Sequence, residues 1–193
     1  MLASINPLGE RARGNRWGWT VTAFTAGALA AASAVGALLG WLGALAHASG
    51  EARLTALGAA AIAAAVVDLG RPAVVPTSRR QVDERWLGRY RGWVYGAGFG
   101  AQLGAGVATV ITSALVYAWL VAALLAGSAA GGAVVGAAFA LGRSAPFGLV
   151  RRAGRPEELR DRMRLVLRWA RPGRAVAAGA SLALGAGCLV ARW

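Results

Sequence analysis

The sequence predicts an all-α fold: a polytopic transmembrane helix bundle of about five spans, with the N-terminus inside and the C-terminus outside. Three observations predict it. First, residues 92–142 are 51 consecutive positions without a charged side chain, and residues 17–50 are another 34. A crossing of the ~30 Å hydrocarbon core takes about 20 apolar helical residues, so the longer run holds two crossings and the shorter one holds one. Second, 57% of the 193 residues are hydrophobic and only 15% charged, a balance foreign to soluble domains. Third, all 21 basic residues are Arg, and nineteen fall within residues 11–16, 71–91 and 143–174, leaving Arg53 and Arg192 apart. Placing those three segments in the cytoplasm satisfies the positive-inside rule. The net charge of +13 is then a topology signal, with anionic headgroups of the lipid bilayer as its partners and no nucleic acid.

Apolar spans take so much of the length that residues 1–193 read as a single membrane domain. The first span covers residues 17–46. Ala44-Leu45-Ala46 resembles a signal-peptide cleavage site, but a signal h-region has about 7–15 residues and this uncharged run is more than twice that. The span is therefore expected to remain in the protein. The second, 54–70, is short for a crossing and carries Asp68 near its cytoplasmic end. The third, 92–125, is long: some 34 helical residues would measure about 50 Å, so it must tilt, break or project beyond the bilayer. The small-residue run Gly127–Gly132 makes the turn into the fourth span, 131–150, where Pro146 introduces a kink. The last span is 175–190. Basic cytoplasmic loops are expected at 71–91 and 151–174. In the second loop Leu159, Met163, Val166, Leu167 and Ala170 form one helical stripe, as in a basic amphipathic helix lying in the membrane interface.

Aromatic residues mark the same two interfaces. Trp17, Trp19, Tyr90, Trp93, Tyr95 and Trp169 fall near cytoplasmic ends, and Trp41, Tyr117, Trp119 and Trp193 near outer ends. Close helix packing is expected at small residues four apart: Gly36 and Gly40 in the first span, Gly96, Gly100 and Gly104 in the third, Gly132 and Gly136 in the fourth. The pattern does not by itself separate an internal bundle from a homodimer face, and the internal bundle is the expected reading.

Few residues suggest chemistry. Cys188 is the only cysteine and His47 the only histidine, so neither a dithiol nor a metal site can be assembled from the chain's cysteines and histidines. No catalytic residue, metal or cofactor is assigned, and the protein is not expected to be an enzyme. Gln102, near the bilayer middle, either makes an interhelical hydrogen bond or lines a substrate path with Thr109, Thr112 and Ser113. Arg143 lies among apolar residues, where it either snorkels to the surface or forms an intramembrane ion pair with Asp68.

The order of GFGAQLGAG (98–106), the turn GSAAGG, ALGRSAPFGL (140–149), an Arg-rich amphipathic loop and a final Gly/Ala/Leu span resembles the second half of the cytochrome c biogenesis transmembrane proteins of the CcdA/DsbD type. GALLGWLG (36–43) is similar to the later helices of that family's first half, and exporters of the wider LysE-like group share these Gly-rich patterns. The resemblance implies a helical membrane fold and electron transfer through two membrane cysteines, each beside a proline, on the first helix of each repeat. Here the first such helix is expected to be missing, and Leu103-Gly104-Ala105-Gly106-Val107 stands about where the second Pro-Cys would be. Disulfide exchange needs a dithiol.

Two functions follow as expectations. One is a transporter or exporter-like protein moving a small solute, not thiol electron transfer. The other is a non-enzymatic accessory or scaffold for a partner complex, and a homodimer or a membrane protein partner suits either. The absence of Lys beside abundant Arg, Ala and Gly suggests a GC-rich source and hence a bacterial inner membrane.

Overall fold

The computed structural model describes residues 4–70, 75–77, 85–107, 111 and 113–191. Every regular element among them is helical: α1 (Pro7–Ala12), α2 (Trp17–Leu45), α3 (Gly50–Gly70), α4 (Trp86–Arg89), α5 (Gly92–Gly104), α6 (Leu115–Leu125), α7 (Ala129–Ser144), α8 (Phe147–Val150) and α9 (Pro156–Val190). Helices α2, α3 and α9 and the stretch Ala129–Val150 are each long and apolar enough to cross a membrane; α6 is apolar but shorter. The protein is thus a polytopic helical membrane bundle.

Helix α2 is the spine, and its neighbours approach it through bare backbone. Gly96, Gly100 and Gly104 of α5 lie against Thr20, Phe24 and Ala28 in rising order, so α5 runs parallel to α2. Gly132 and Gly136 of α7 lie against Gly36 and Ala32 in falling order, so α7 runs antiparallel. A Cβ at Gly36, Gly100, Gly132 or Gly136 would overlap the facing carbonyl oxygen, and Gly40 is closed in the same way by Ser128. Without a hydrophobic drive between helices in lipid, this close van der Waals approach is what holds them together. On the other side, α3 pairs with α9 where Gly58 and Gly185 face each other; a Cβ on either would lie 2.8 Å from the other's carbonyl oxygen.

The apolar core has two parts. One, at the basic end, joins Ile5, Phe24, Tyr95, Phe99 and Phe147. The Phe24 and Phe147 rings meet edge to face at 4.9 Å, and Trp86 of α4 stacks on Phe99 at 5.9 Å. The other, farther along α2, joins Ala64, Val75, Ile111, Val116 and Trp119.

One expected element is decided among its alternatives and another differs. The long third span resolves by breaking: α5 stops at Gly104 and α6 starts at Leu115. The last span extends the other way. Residues 156–174, expected as a loop bearing an interfacial helix, are continuous with it in one 35-residue helix that contains Pro172. A proline removes one backbone bond but need not end a helix whose flanking turns are good helix formers, and Arg, Leu, Ala and Met dominate here.

Candidate functional site at the broken third span

The break begins where Gly104 meets Ala28, near the midpoint of α2. Gly106 turns the chain in the left-handed region, at φ 77°, which a glycine adopts without steric cost. Backbone opened inside a membrane must find partners within the protein. Here they come from α3 and the residues that follow it. Asp68, in the last turn of α3 and 7% exposed, accepts the Ala114 backbone N–H at 2.6 Å and the Ser113 hydroxyl at 2.5 Å. The Ser113 oxygen in turn accepts the Leu115 N–H at 3.2 Å. Thr77 Oγ1 accepts the Ile111 N–H at 2.6 Å, and the Tyr117 hydroxyl donates to the Pro76 carbonyl at 2.5 Å.

The two ends of α6 therefore receive opposite charges from one neighbour. Asp68 sits at its N-terminus, where the helix dipole is positive. The Arg53 guanidinium packs on Gly127, one residue past the Ala126 cap at the negative end. For α3 itself Glu51 suits the first turn, whereas Arg53 beside it and Asp68 in the last turn oppose the dipole of α3 and complement that of α6.

Trp119 closes the other wall. A Cβ on Gly106 would lie 3.1 Å from its indole, the ring stacks on Phe139 at 4.5 Å, and its buried Nε1–H has no hydrogen-bond partner among the described residues. An apolar cavity of about 220 Å³ continues along the α3–α6 seam, lined by Ala60, Ala64, Val67, Ala114, Tyr117 and Val121 among others.

The expected Asp68–Arg143 ion pair is not formed. Both Asp68 oxygens are held by the start of α6, and the Arg143 guanidinium lies over the Phe139 ring, 5.4 Å from its centroid. The partner of Asp68 is a helix terminus that exists only because the span is broken. Of the expected path residues, Ser113 is at the break, Gln102 is partly buried on the last turn of α5, and Thr109 and Thr112 lie outside the described residues. Cys188 is a free thiol on α9. Among the described residues no three His, Cys, Asp or Glu side chains gather.

A second polar cluster went unread in the sequence. Glu10 of α1 is fully buried against α2 and α5. Its carboxylate accepts the Tyr95 hydroxyl at 2.5 Å from each oxygen, the Thr20 hydroxyl at 2.8 Å and Arg13 Nη2 at 2.6 Å. Asn15 donates to the Tyr95 oxygen at 3.2 Å and accepts the Gly92 N–H at 3.3 Å. Burial works against the charge on Arg13, but its bonds to Glu10 and Tyr95 outweigh that and raise its pKa above the ordinary guanidinium value. The available signal was that Glu10 is the only acidic residue before Glu51, set in a basic tail.

No curated protein and no solved structure matches the chain. A family profile does, across the α2 spine, the broken span and most of α9. It is the transmembrane region of cytochrome c biogenesis proteins, it matches residues 2–184, and the chain belongs to that family.

Proposed function

We propose that the protein moves a small solute across a bacterial inner membrane by way of the broken third span, and that it does not carry electrons between thiols. The observation that carries this is the Asp68–Ser113–Ala114 junction. A discontinuous helix inside the bundle, its free terminus held by an ionisable side chain, resembles the broken helices by which membrane transporters bring polar backbone to cargo. The apolar cavity beside the junction, lined by Ala114 and Tyr117 among others, supplies a space of about 220 Å³, which suits a small solute. Thiol transfer is disfavoured because residues 103–107 offer no sulfur and the chain has one cysteine, whereas exchange needs a dithiol. No cofactor and no chemical change in the cargo are required.

The test compares solute contents of cells and medium for strains carrying the wild-type protein, Asp68→Asn, Ser113→Ala or no protein, with membrane levels of each variant measured in parallel. A solute whose distribution follows wild type and fails with Asp68→Asn at equal protein level supports transport. Unchanged solutes would sink it.

A second reading, a non-enzymatic accessory for a partner complex or a second copy of the chain, is favoured by α9. Only Ala178 and Gly185 are buried on that helix, and Val176, Leu184 and Val190 are more than half exposed. A partner protein whose abundance falls when the chain is removed, with solutes unchanged, would favour this reading.

A further inference from the structure

We infer that the basic end of the α2–α5 seam is a binding site for an anionic phospholipid of the adjacent leaflet. Because α2 and α5 run parallel, their first turns stand side by side, and a cavity of about 480 Å³ opens between them. Arg16 and Arg91, the residues that precede the two helices, line it with Asn15 and Gly92. Neither arginine has a carboxylate partner among the described residues. Two guanidinium groups at one opening offer forked donors that suit a phosphate.

The cavity does not end at the polar level. Trp19 and Trp93 form its far wall and also line a second cavity of about 400 Å³, whose other lining residues are Thr22, Ala23 and Ala26. That second space runs along α2 in the direction of the hydrocarbon. Trp19 is 63% exposed and Trp93 58%, so two indoles flank the seam where headgroup gives way to acyl chain. A free anion would use the first cavity and leave the second empty. A zwitterionic lipid would fill the second but bring its own cation beside Arg16 and Arg91, leaving their two positive charges in the first without net compensation, whereas a singly anionic lipid neutralises one of them. An anionic phospholipid matches both, with its phosphate between Arg16 and Arg91 and one chain between the tryptophans. Basic pockets between membrane helices on the cytoplasmic side take such headgroups.

Native mass spectrometry of the full-length protein in detergent tests this, titrating dioleoyl phosphatidylglycerol against dioleoyl phosphatidylcholine. The first phosphatidylglycerol should bind in preference, and Arg16→Gln/Arg91→Gln should weaken it on the order of tenfold. Arg151→Gln/Arg152→Gln, an exposed basic pair elsewhere, should leave that first site unchanged. Equal binding of the two lipids, or no loss in the Arg16/Arg91 variant, would overturn the proposal. Displacement of the lipid by millimolar inorganic phosphate alone would assign the site to a free anion and overturn it as well. If the double arginine variant fails to fold, quenching of tryptophan fluorescence by chain-brominated phosphatidylglycerol gives the second measurement. Trp19→Phe/Trp93→Phe should abolish the excess of quenching over brominated phosphatidylcholine, and an excess that persists rejects the site.

Discussion

The carboxylate of Asp68 and the backbone N–H of Ala114 are joined at 2.6 Å, across 46 residues of sequence, inside an apolar bundle. That bond fixes where the second half of the broken span begins. A carboxylate that accepts both a backbone N–H and a hydroxyl at a helix N-terminus is a charged acceptor, and such bonds are each worth about 1.5–3 kcal/mol. Asp68→Ala should therefore lower stability by roughly 2–4 kcal/mol, read as a drop in detergent melting temperature. Arg143→Ala should cost far less, since it loses only a contact with a ring.

The same geometry predicts additivity. If Asp68 and Arg143 are not partners, their double alanine variant should equal the sum of the singles within about 0.5 kcal/mol. Exchanging the two residues should rescue nothing. A coupling well above that value in the double-mutant cycle would restore the ion pair.

Glycine substitutions should divide by what faces them. Gly100→Ala drives a methyl into the Phe24 carbonyl and must part α5 from α2, so folded yield should collapse. Gly142 in α7 has open space where its Cβ would be. Gly142→Ala should be neutral or stabilise by up to about 1 kcal/mol, from helix propensity alone. Size-exclusion profiles and melting curves of the two variants make the comparison.

At the N-terminal cluster, Arg13→Gln removes the cation that pairs with the fully buried Glu10, whereas Arg11 has no ion pair among the described residues. Loss of about 1–3 kcal/mol is expected for Arg13→Gln and almost none for Arg11→Gln. Limited proteolysis near residue 16 should report it, because the cluster is what docks α1.

Cys188→Ser should leave any transport activity of the protein intact. A solute assay in which that variant fails at normal membrane level would bring thiol chemistry back.

The charge-free runs and the arginine segments made the helical membrane class legible, because both are properties of composition along the chain. The length of the third span showed that something must give, and Gly104, Ala105 and Gly106 stood in plain view. Which of tilting, projecting or breaking would occur depended on Asp68 and Thr77, whose reach to Ile111, Ser113 and Ala114 is a tertiary fact. Asp68 invited the wrong partner for the same reason. A side-chain cation can be found in a sequence, but the positive end of a half-helix cannot. Glu10 was overlooked because an acid in a basic tail reads as solvated until Tyr95 and Thr20 are seen to enclose it. The basic stripe of residues 156–170 was legible as helix, and only its continuity through Pro172 was not.

The bracketing of α6 by Arg53 and Asp68 has an electrical consequence. A voltage across the bilayer acts on each charge displaced along its normal, at about 2.3 kcal/mol per elementary charge per 100 mV. Helix α3 carries its positive and negative groups some fifteen residues apart, roughly 22 Å along its axis, and the dipole of α6 points against that separation. The two helices therefore feel the field in opposite senses, whichever side is negative, and the half-charges at the ends of α6 offset about a third of the effect on Arg53 and Asp68. Any motion that shifts Asp68 along the membrane normal relative to the start of α6 is therefore coupled to the membrane potential.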